Sequence, residues 1–398
     1  MTGAMQSFIN LALLHFFSRP YFVQMKDGKG SGALKREREE LTSSSSSATA
    51  SANKSPFFSK LPLLADKYSI EPECGTLGGG TFGSILVGRA APGKQVALKC
   101  LNLPAVEKKE RHKQEYYATR ELKALEKVAG HINVIELLDV RRDLEDKVYL
   151  VFPLMPHDLL GLMHHHGTNM VPGQVKGYVK QLFEALRWCH SKRVIHRDVK
   201  PENILVDANN VLKLADFGLS REQMQDYPRY TWEVQTLWYR APELLMMHNS
   251  EYGPEIDTWA AGCVMGYCLF LRAIFPGTTE SEQLQLIYNT CGTPRDVDTE
   301  WPAHLREAAK KSFRQALPNF LKEKWSGSQN ISFRKALFTP AAMDVMNAML
   351  TVNPAKRASW NTILTMPYFT QEYPAPYESS VMRKVAGTQR AAKLVKNK

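Results

Sequence analysis

A glycine run, Gly78-Gly79-Gly80-Thr81-Phe82-Gly83, lies between two β-type segments. That setting constrains the fold more than any other feature of the chain. A dinucleotide-binding unit needs a strand before such a run and a helix after it, so that architecture is excluded. A glycine-rich hairpin instead leaves backbone N–H groups free to approach phosphate oxygens with no side chain in the way. Sixteen residues beyond Gly83, Lys99 ends the apolar run Val96-Ala97-Leu98. A lysine on a strand that enters a core needs a partner. Glu121, in the helical stretch Lys108 to Val128, is placed to supply one.

Short β-type runs continue from Tyr68 to about Phe152, whereas the pattern from Leu159 onward is mostly helical. Gln174 to Cys189 is amphipathic, with Val175, Tyr178, Val179, Leu182, Phe183 and Leu186 on one stripe. A small sheet-rich lobe followed by a larger helical lobe is an α+β layout with a cleft where the two meet. The 398 residues, 44% apolar and 23% charged, suffice for a sizeable core and exclude a disordered, collagen-like or coiled-coil chain. The net charge of +11 suggests a nucleic-acid surface until it is partitioned: residues 1–60 and 371–398 together carry +8, leaving +3 on the rest. No dedicated nucleic-acid site is therefore expected on the folded body. Six dispersed cysteines with no CxxC pair read as reduced, intracellular thiols, and Cys263 and Cys268 as core. Phe8 to Phe17 is too short to span a bilayer, and its first cation, Arg19, follows it. The expected organisation is a disordered extension over 1–60, a folded body over 68–370 and a basic tail over 371–398. That tail reads either as frayed chain or as a nuclear address or contact for an acidic partner. His164-His165-His166 reads as a solvated turn before a helix rather than a metal tract.

Three further motifs follow in order: His196-Arg197-Asp198-Val199-Lys200-Pro201-Glu202-Asn203, Asp216-Phe217-Gly218 and Ala241-Pro242-Glu243. With the glycine run and Lys99 they make the chain resemble the protein kinases over residues 68–370. The resemblance implies a bilobal kinase fold with an N-lobe at 68–152, a hinge at 153–157 and a C-lobe at 158–370, using ATP and Mg²⁺. It implies that Gly78, Gly80 and Gly83 cover the phosphates and that Lys99, paired with Glu121, holds them. Asn203 and Asp216 would ligate Mg²⁺. Asp198 would accept the substrate proton, Lys200 would neutralise the migrating phosphate, and Thr236 would brace both. Leu77, Ile85, Ala97 and Leu205 would sandwich the adenine, with Phe152 as gate, Met155 as hinge contact and Asp158 reaching the ribose. Asp257 would anchor the catalytic loop, and Arg357 with Glu243 would form a buried ion pair.

Lys200 and Thr236 favour a Ser/Thr kinase. Arg240, in Trp238-Tyr239-Arg240, resembles the proline-directed branch, in which the arginine props the backbone so that the position after the target takes a residue lacking N–H. Gln235 stands where close relatives often carry an apolar residue. The segment Arg221 to Val234 resembles that of a cyclin-dependent kinase, with Thr231 as the activating phosphosite of an upstream kinase and Arg120, Arg197 and Arg221 as its phosphate clamp. The helix segment Glu115-Tyr116-Tyr117-Ala118-Thr119-Arg120-Glu121 keeps the family's Arg and Glu but changes its cyclin-contacting residues. Phe82 replaces a tyrosine used for inhibitory phosphorylation, which leaves Thr81 as the available hydroxyl. Residues 292–332 fall at the branch's lower-lobe insert and are a candidate docking segment. The expectation is a Ser/Thr-Pro kinase acting on protein substrates in the nucleus or cytoplasm, activated by a cyclin-type subunit. The alternatives are a pseudokinase scaffold and a proline-directed kinase that needs no cyclin.

Overall fold

Alternation along a single strand, Lys94–Leu101, decides how the smaller lobe is built. The structure is a computed structural model that describes residues 58–80, 83–90, 93–101, 108–223, 234–246, 252–293, 306, 337–372 and 374–378. In it β1 (Tyr68–Ile70), β2 (Thr76–Gly80), β3 (Gly83–Ala90), β4 (Lys94–Leu101), β5 (Asp139–Arg142) and β6 (Val148–Pro153) form an antiparallel sheet. Its order is β1-β3-β4-β6-β5, with β2 also on β3. Period-two geometry sends Val96, Leu98 and Cys100 to one face and Ala97 and Lys99 to the other. The first face gathers Leu86, Tyr149 and Val151 and is closed by Leu64 and Tyr68 from the preceding chain. Each such fully buried side chain contributes about 1.5–3 kcal/mol. The second face looks onto α1 (Lys108–Val128) and the cleft.

The larger lobe carries α2 (Leu159–His166), α3 (Pro172–Ser191), α4 (Pro242–Met246), α5 (Glu255–Phe270), α6 (Glu280–Cys291) and α7 (Pro340–Met349). α3 starts with Pro172 in its first turn, where the missing N–H costs nothing, and the Gln174 side chain accepts from the Val171 N–H. Its expected apolar stripe is buried throughout. α5 has no polar face at all: Ile256 through Phe270 are buried, as in a helix at the centre of a lobe. Short strand pairs then frame the loops between the lobes. β7 (His157–Asp158), β9 (Ile204–Val206) and β10 (Leu212–Leu214) make one sheet, and β8 (Val194–Ile195) pairs with β11 (Arg221–Glu222).

Three features differ from the sequence reading. The folded body begins before Tyr68: Phe58, Leu61 and Leu64 are buried, and Arg142 Nε donates to the Leu61 carbonyl at 3.1 Å. Their spacing of three suits the 3₁₀ turns at Phe58–Lys60 and Leu64–Asp66, a period too short-ranged to stand out from the linker before it. At the other end the chain past residue 370 lies along α3. Lys176 Nζ, almost fully buried, reaches Glu372 Oε1 at 2.7 Å and its carbonyl at 3.2 Å, and the Tyr377 N–H donates to Gly173 O at 2.8 Å. His164–His166 form the last turn of α2 rather than a turn before a helix. Among the described residues no group of His, Cys, Asp or Glu is arranged to hold a metal. Nor, among them, is any helix long and apolar enough to cross a membrane.

Candidate active site

β4 and α1 each offer one charge to a place that water scarcely reaches. Lys99 Nζ lies 2.6 Å from Glu121 Oε1 and 2.8 Å from Asp216 Oδ1. Burial pushes the Lys99 ammonium down, but the two carboxylates outweigh it and hold its pKa well above the ordinary lysine value. For Asp216, burial pushes the carboxyl up while Lys99 more than offsets it, so the net direction is downward. The cation therefore stays charged and joins α1 to the loop that starts at Asp216. The Arg120 guanidinium adds a bond to the Gly218 carbonyl.

The loop after β8 carries the second group of charges. Asp198 Oδ2 accepts from Lys200 Nζ at 2.8 Å and Asn203 Nδ2 at 2.9 Å. Asp198 Oδ1 accepts from the Thr236 hydroxyl at 3.2 Å and its N–H at 3.3 Å, and Lys200 Nζ also donates to Thr236 Oγ1 at 3.1 Å. All five expected catalytic residues thus fall into two bonded sets: Lys99–Glu121–Asp216, and Asp198–Lys200–Asn203–Thr236. His196 ties the sets together: its Nδ1 accepts from the Asp198 N–H at 3.3 Å, so Nε2 bears the proton and donates to Ala215 O at 3.0 Å. Asp257 underlies the loop, accepting the His196 and Arg197 N–H groups at 2.8 Å each. Arg357 and Glu243 are joined by two bonds of 2.5 and 2.6 Å in the lobe below.

Strain marks the same place. Arg197, Asp216 and Gln235 are non-glycine residues at φ of +68°, +63° and +66°. Each such conformation costs about 1–2 kcal/mol and persists only where surrounding bonds over-determine it.

The expected nucleotide residues lie on β2, β3, β4, β6, β7 and β9 and on the segment between β6 and β7. Gly78 pairs with Ile85 and Gly80 with Gly83, a tight hairpin whose tip, Thr81 and Phe82, lies outside the described residues. Across the sheet Ile85 is opposite Lys99 and Ala97 opposite Phe152, so these side chains share the face that carries Lys99. Leu77, Ile85, Ala97, Phe152 and Leu205 are half-buried, while Met155 is buried. Asp158 has a job the sequence reading did not assign: it is the N-cap of α2, its Oδ1 accepting from the Gly161 N–H at 2.6 Å. The donor set fits Mg²⁺. Asn203 spends its amide NH₂ on Asp198 O and Oδ2, which leaves its side-chain oxygen for a cation; the Ala215 N–H on Asn203 O ties this residue to the one before Asp216, and two hard oxygens plus phosphates and waters suit Mg²⁺.

The three expected clamp arginines converge, with partners the sequence did not reveal. Arg197 is buried, its Nε donating to Leu219 O at 2.7 Å and its Nη1 to the Tyr252 hydroxyl at 2.6 Å. Burial lowers the Arg197 pKa, Tyr252 resists that, and the neighbouring charge of Arg221 adds to it. Arg120 and Arg197 thus hold successive carbonyls, Gly218 and Leu219, with Arg221 close by. Thr231 lies outside the described residues, as do the side chains of residues 108–117 and nearly all of 292–332. Arg240 props the Gln235 carbonyl, with Nη2 at 3.0 Å and Nε at 3.4 Å, and pairs with Glu280 at 2.5 Å.

This geometry has counterparts. The sequence profile described as the protein kinase domain matches residues 73–369. Cyclin-dependent kinase 7 of Dictyostelium discoideum is 36% identical over 311 residues, covering 77% of this chain and 80% of the relative. Cyclin-dependent kinase C-1 of Oryza sativa subsp. japonica is 35% identical over 326 residues, 77% of this chain and 60% of the relative. The CTD kinase subunit alpha of Schizosaccharomyces pombe is 35% identical over 316 residues, 78% of this chain and 50% of the relative. The chain thus spans between half and four-fifths of the length of these relatives. A solved structure of the CAK complex from Chaetomium thermophilum bound to ATP-γ-S aligns with a TM-score of 0.68 at 29% identity, covering 81% of this chain and 96% of that one. With fold, motif order and relatives in agreement, the chain belongs to the protein kinase family, among its cyclin-dependent kinases.

Proposed function

We propose that the chain is a Ser/Thr protein kinase that transfers the terminal phosphate of ATP to Ser/Thr-Pro sites, activated by a cyclin-type subunit and by phosphorylation of Thr231. The observation that carries this reading is the pair of bonded sets meeting at His196, which surrounds one space with the charges that phosphoryl transfer requires. Lys99, kept charged by two carboxylates, holds phosphate oxygens. Asn203 and Asp216 would hold Mg²⁺, which when bound would supply charge neutralisation to phosphate oxygens. Asp198 has its two oxygens oriented by Lys200, Asn203 and Thr236, so a substrate hydroxyl arriving beside it is aligned and gives up its proton there. Lys200 stabilises charge on the phosphate in transit.

Regulation follows from the arginines. Arg197 and Arg221 lie close enough for their charges to oppose each other, a repulsion that a phosphate with roughly two negative charges would relieve. Because Arg120 stands beside Glu121 on α1, ordering the arginines also fixes the helix that supplies Glu121. The basic tail and the likeness to CTD kinase subunit alpha support a nuclear or cytoplasmic location. The test is phosphate incorporation into Ser-Pro peptides by the chain alone, with its co-purifying subunit, and as Thr231→Ala. Activity is expected to fall at least about tenfold in Thr231→Ala. Equal activity of wild type and variant in the complex defeats the regulatory claim, and no incorporation under any condition defeats the kinase claim in favour of a scaffold.

A further inference from the structure

The chain enters the smaller lobe by crossing the free edge of its sheet. β5 is the last strand of that sheet, so one side of it has no named strand to pair with. Residues 61–63 lie along this side. The Arg142 N–H donates to Pro62 O at 3.1 Å, Arg142 Nε donates to Leu61 O at 3.1 Å, and Leu63 and Arg142 form an isolated parallel bridge. Pro62 can accept but not donate, which suits a segment on a sheet edge.

Period two tells the two ends of this segment apart. Val140 is opposite Leu150 and Leu150 opposite Lys99, so all three share the face on which Lys99 meets Glu121 of α1. Arg142, two residues beyond Val140, shares that face and brings Leu61 to it. Asp139 and Arg141 project to the opposite face, where Asp139 Oδ2 accepts from Lys67 Nζ and from the Tyr68 hydroxyl at 3.2 Å each. Accordingly Phe58 and Leu61 are buried in the apolar cluster that includes Ala118, Leu122 and Leu125 of α1, whereas Leu64 and Tyr68 are buried in the outer one. The segment thus starts on the α1 side, crosses the edge of β5 and ends on the outside. Ala118, Leu122 and Leu125 are three to four residues apart, one stripe of α1, and Glu121 stands beside them. Whatever holds that stripe holds Glu121 at Lys99. We propose that residues 58–64 are a strap that seats α1, with Phe58 and Leu61 as positioning residues that act on Lys99 through Glu121. The consequence for phosphate transfer rests on the proposed kinase reading; the seating of α1 does not. Support for α1 then comes partly from this chain itself rather than wholly from an activating subunit.

The experiment compares wild type with Phe58→Ala and Leu64→Ala, two truncations in one segment that lie on opposite faces of the sheet. Amide hydrogen exchange of the full chain reads α1 and β6 separately. Phe58→Ala is expected to speed exchange at residues 118–125 at least about tenfold more than at 148–152, and Leu64→Ala to show no such bias. Phosphate incorporation by the full chain with its co-purifying subunit tests the route to Lys99. Phe58→Ala is expected to lower kcat at least about tenfold in the wild-type background, and less than about twofold once Glu121→Ala has removed the pair. A general loss of folding lowers kcat by the same factor in both backgrounds and does not single out α1. Phe58→Leu, which keeps most of the apolar volume, should recover most of both losses. If Phe58→Ala does not fold, Leu61→Val carries the same comparisons at about threefold. Exchange at 118–125 that stays within twofold of the change at 148–152 overturns the strap, and an equal kcat effect in both backgrounds overturns its link to Lys99. A wild type that phosphorylates nothing overturns the kinase reading, and the exchange result still decides the strap.

Discussion

Asp198→Asn is expected to lower kcat on a Ser-Pro peptide by roughly 10²–10⁴-fold while leaving nucleotide binding in place. The substitution keeps the volume and a carbonyl oxygen. It removes the negative charge that holds Lys200 Nζ at 2.8 Å and the second oxygen that takes Asn203 Nδ2. An amide cannot accept the substrate's proton, and its NH₂ would face either the Asn203 amide or the Thr236 N–H, each a donor. Lys99, Glu121 and Asp216 form a separate bonded set, so Mg·ATP should protect the variant from thermal unfolding as much as wild type. Phosphate incorporation and the Mg·ATP-induced shift in Tm check the two halves. A variant within tenfold of wild-type kcat removes Asp198 from the chemistry. Absence of the Tm shift in wild type as well would favour a scaffold.

The residues legible in the sequence are those whose partners are fixed by short motifs. Lys99 and Glu121 are legible as a pair because a buried lysine requires an acid and the nearest helix offers one, and they are bonded at 2.6 Å. Likeness to the family sets Thr236 against Asp198 and Lys200, and it bonds to both. The short β-type runs before Phe152 and the stripe on α3 make the two lobes legible. What stayed hidden depends on contacts far apart in the chain. Glu372 meets Lys176 across 196 residues, and Leu64, from the stretch between the expected extension and the expected body, joins Tyr68 in closing the outer sheet face. Tyr252 gave no sign that it would receive Arg197, because neither residue lies in a periodic pattern with the other. Gln235 was visible only as a departure from relatives. Its side chain accepts from the Ala241 N–H and donates to Ile256 O, bonds that no local pattern encodes. The helix cap of Asp158 was the one missed role with a local signal, since an Asp directly before the apolar Leu159-Leu160 is a common helix start.

Asp257→Asn should damage the fold more than any change in the catalytic residues themselves. Trp360 Nε1–H can only donate, and it points at His190 Nδ1 at 2.8 Å, so His190 carries its proton on Nε2 and gives it to Asp257 Oδ2 at 2.8 Å. Asp257 therefore faces three donors: His190, the His196 N–H and the Arg197 N–H. A carboxylate has acceptors for all of them. An asparagine that keeps its oxygen on Arg197 presents NH₂ to the other two, which at about 1–3 kcal/mol per orphaned buried donor predicts a loss of about 2–6 kcal/mol. Arg197 also sits at φ +68°, so releasing its N–H loosens the strained residue immediately before Asp198, and kcat should fall with stability. Acid adds an independent check. Burial pushes the Asp257 carboxyl up, but the bond from His190 and the N–H donors around it hold it below the ordinary 3.8. A carboxylate whose folded pKa is depressed contributes its full stabilisation above the unfolded value and loses it as pH falls through the lower, folded one. Denaturant unfolding of the full chain from pH 6 down toward 3 should then show a shallower acid loss for Asp257→Asn than for wild type. A variant that unfolds within about 1 kcal/mol of wild type at neutral pH, with the same acid limb, would show that the catalytic loop does not depend on this anchor.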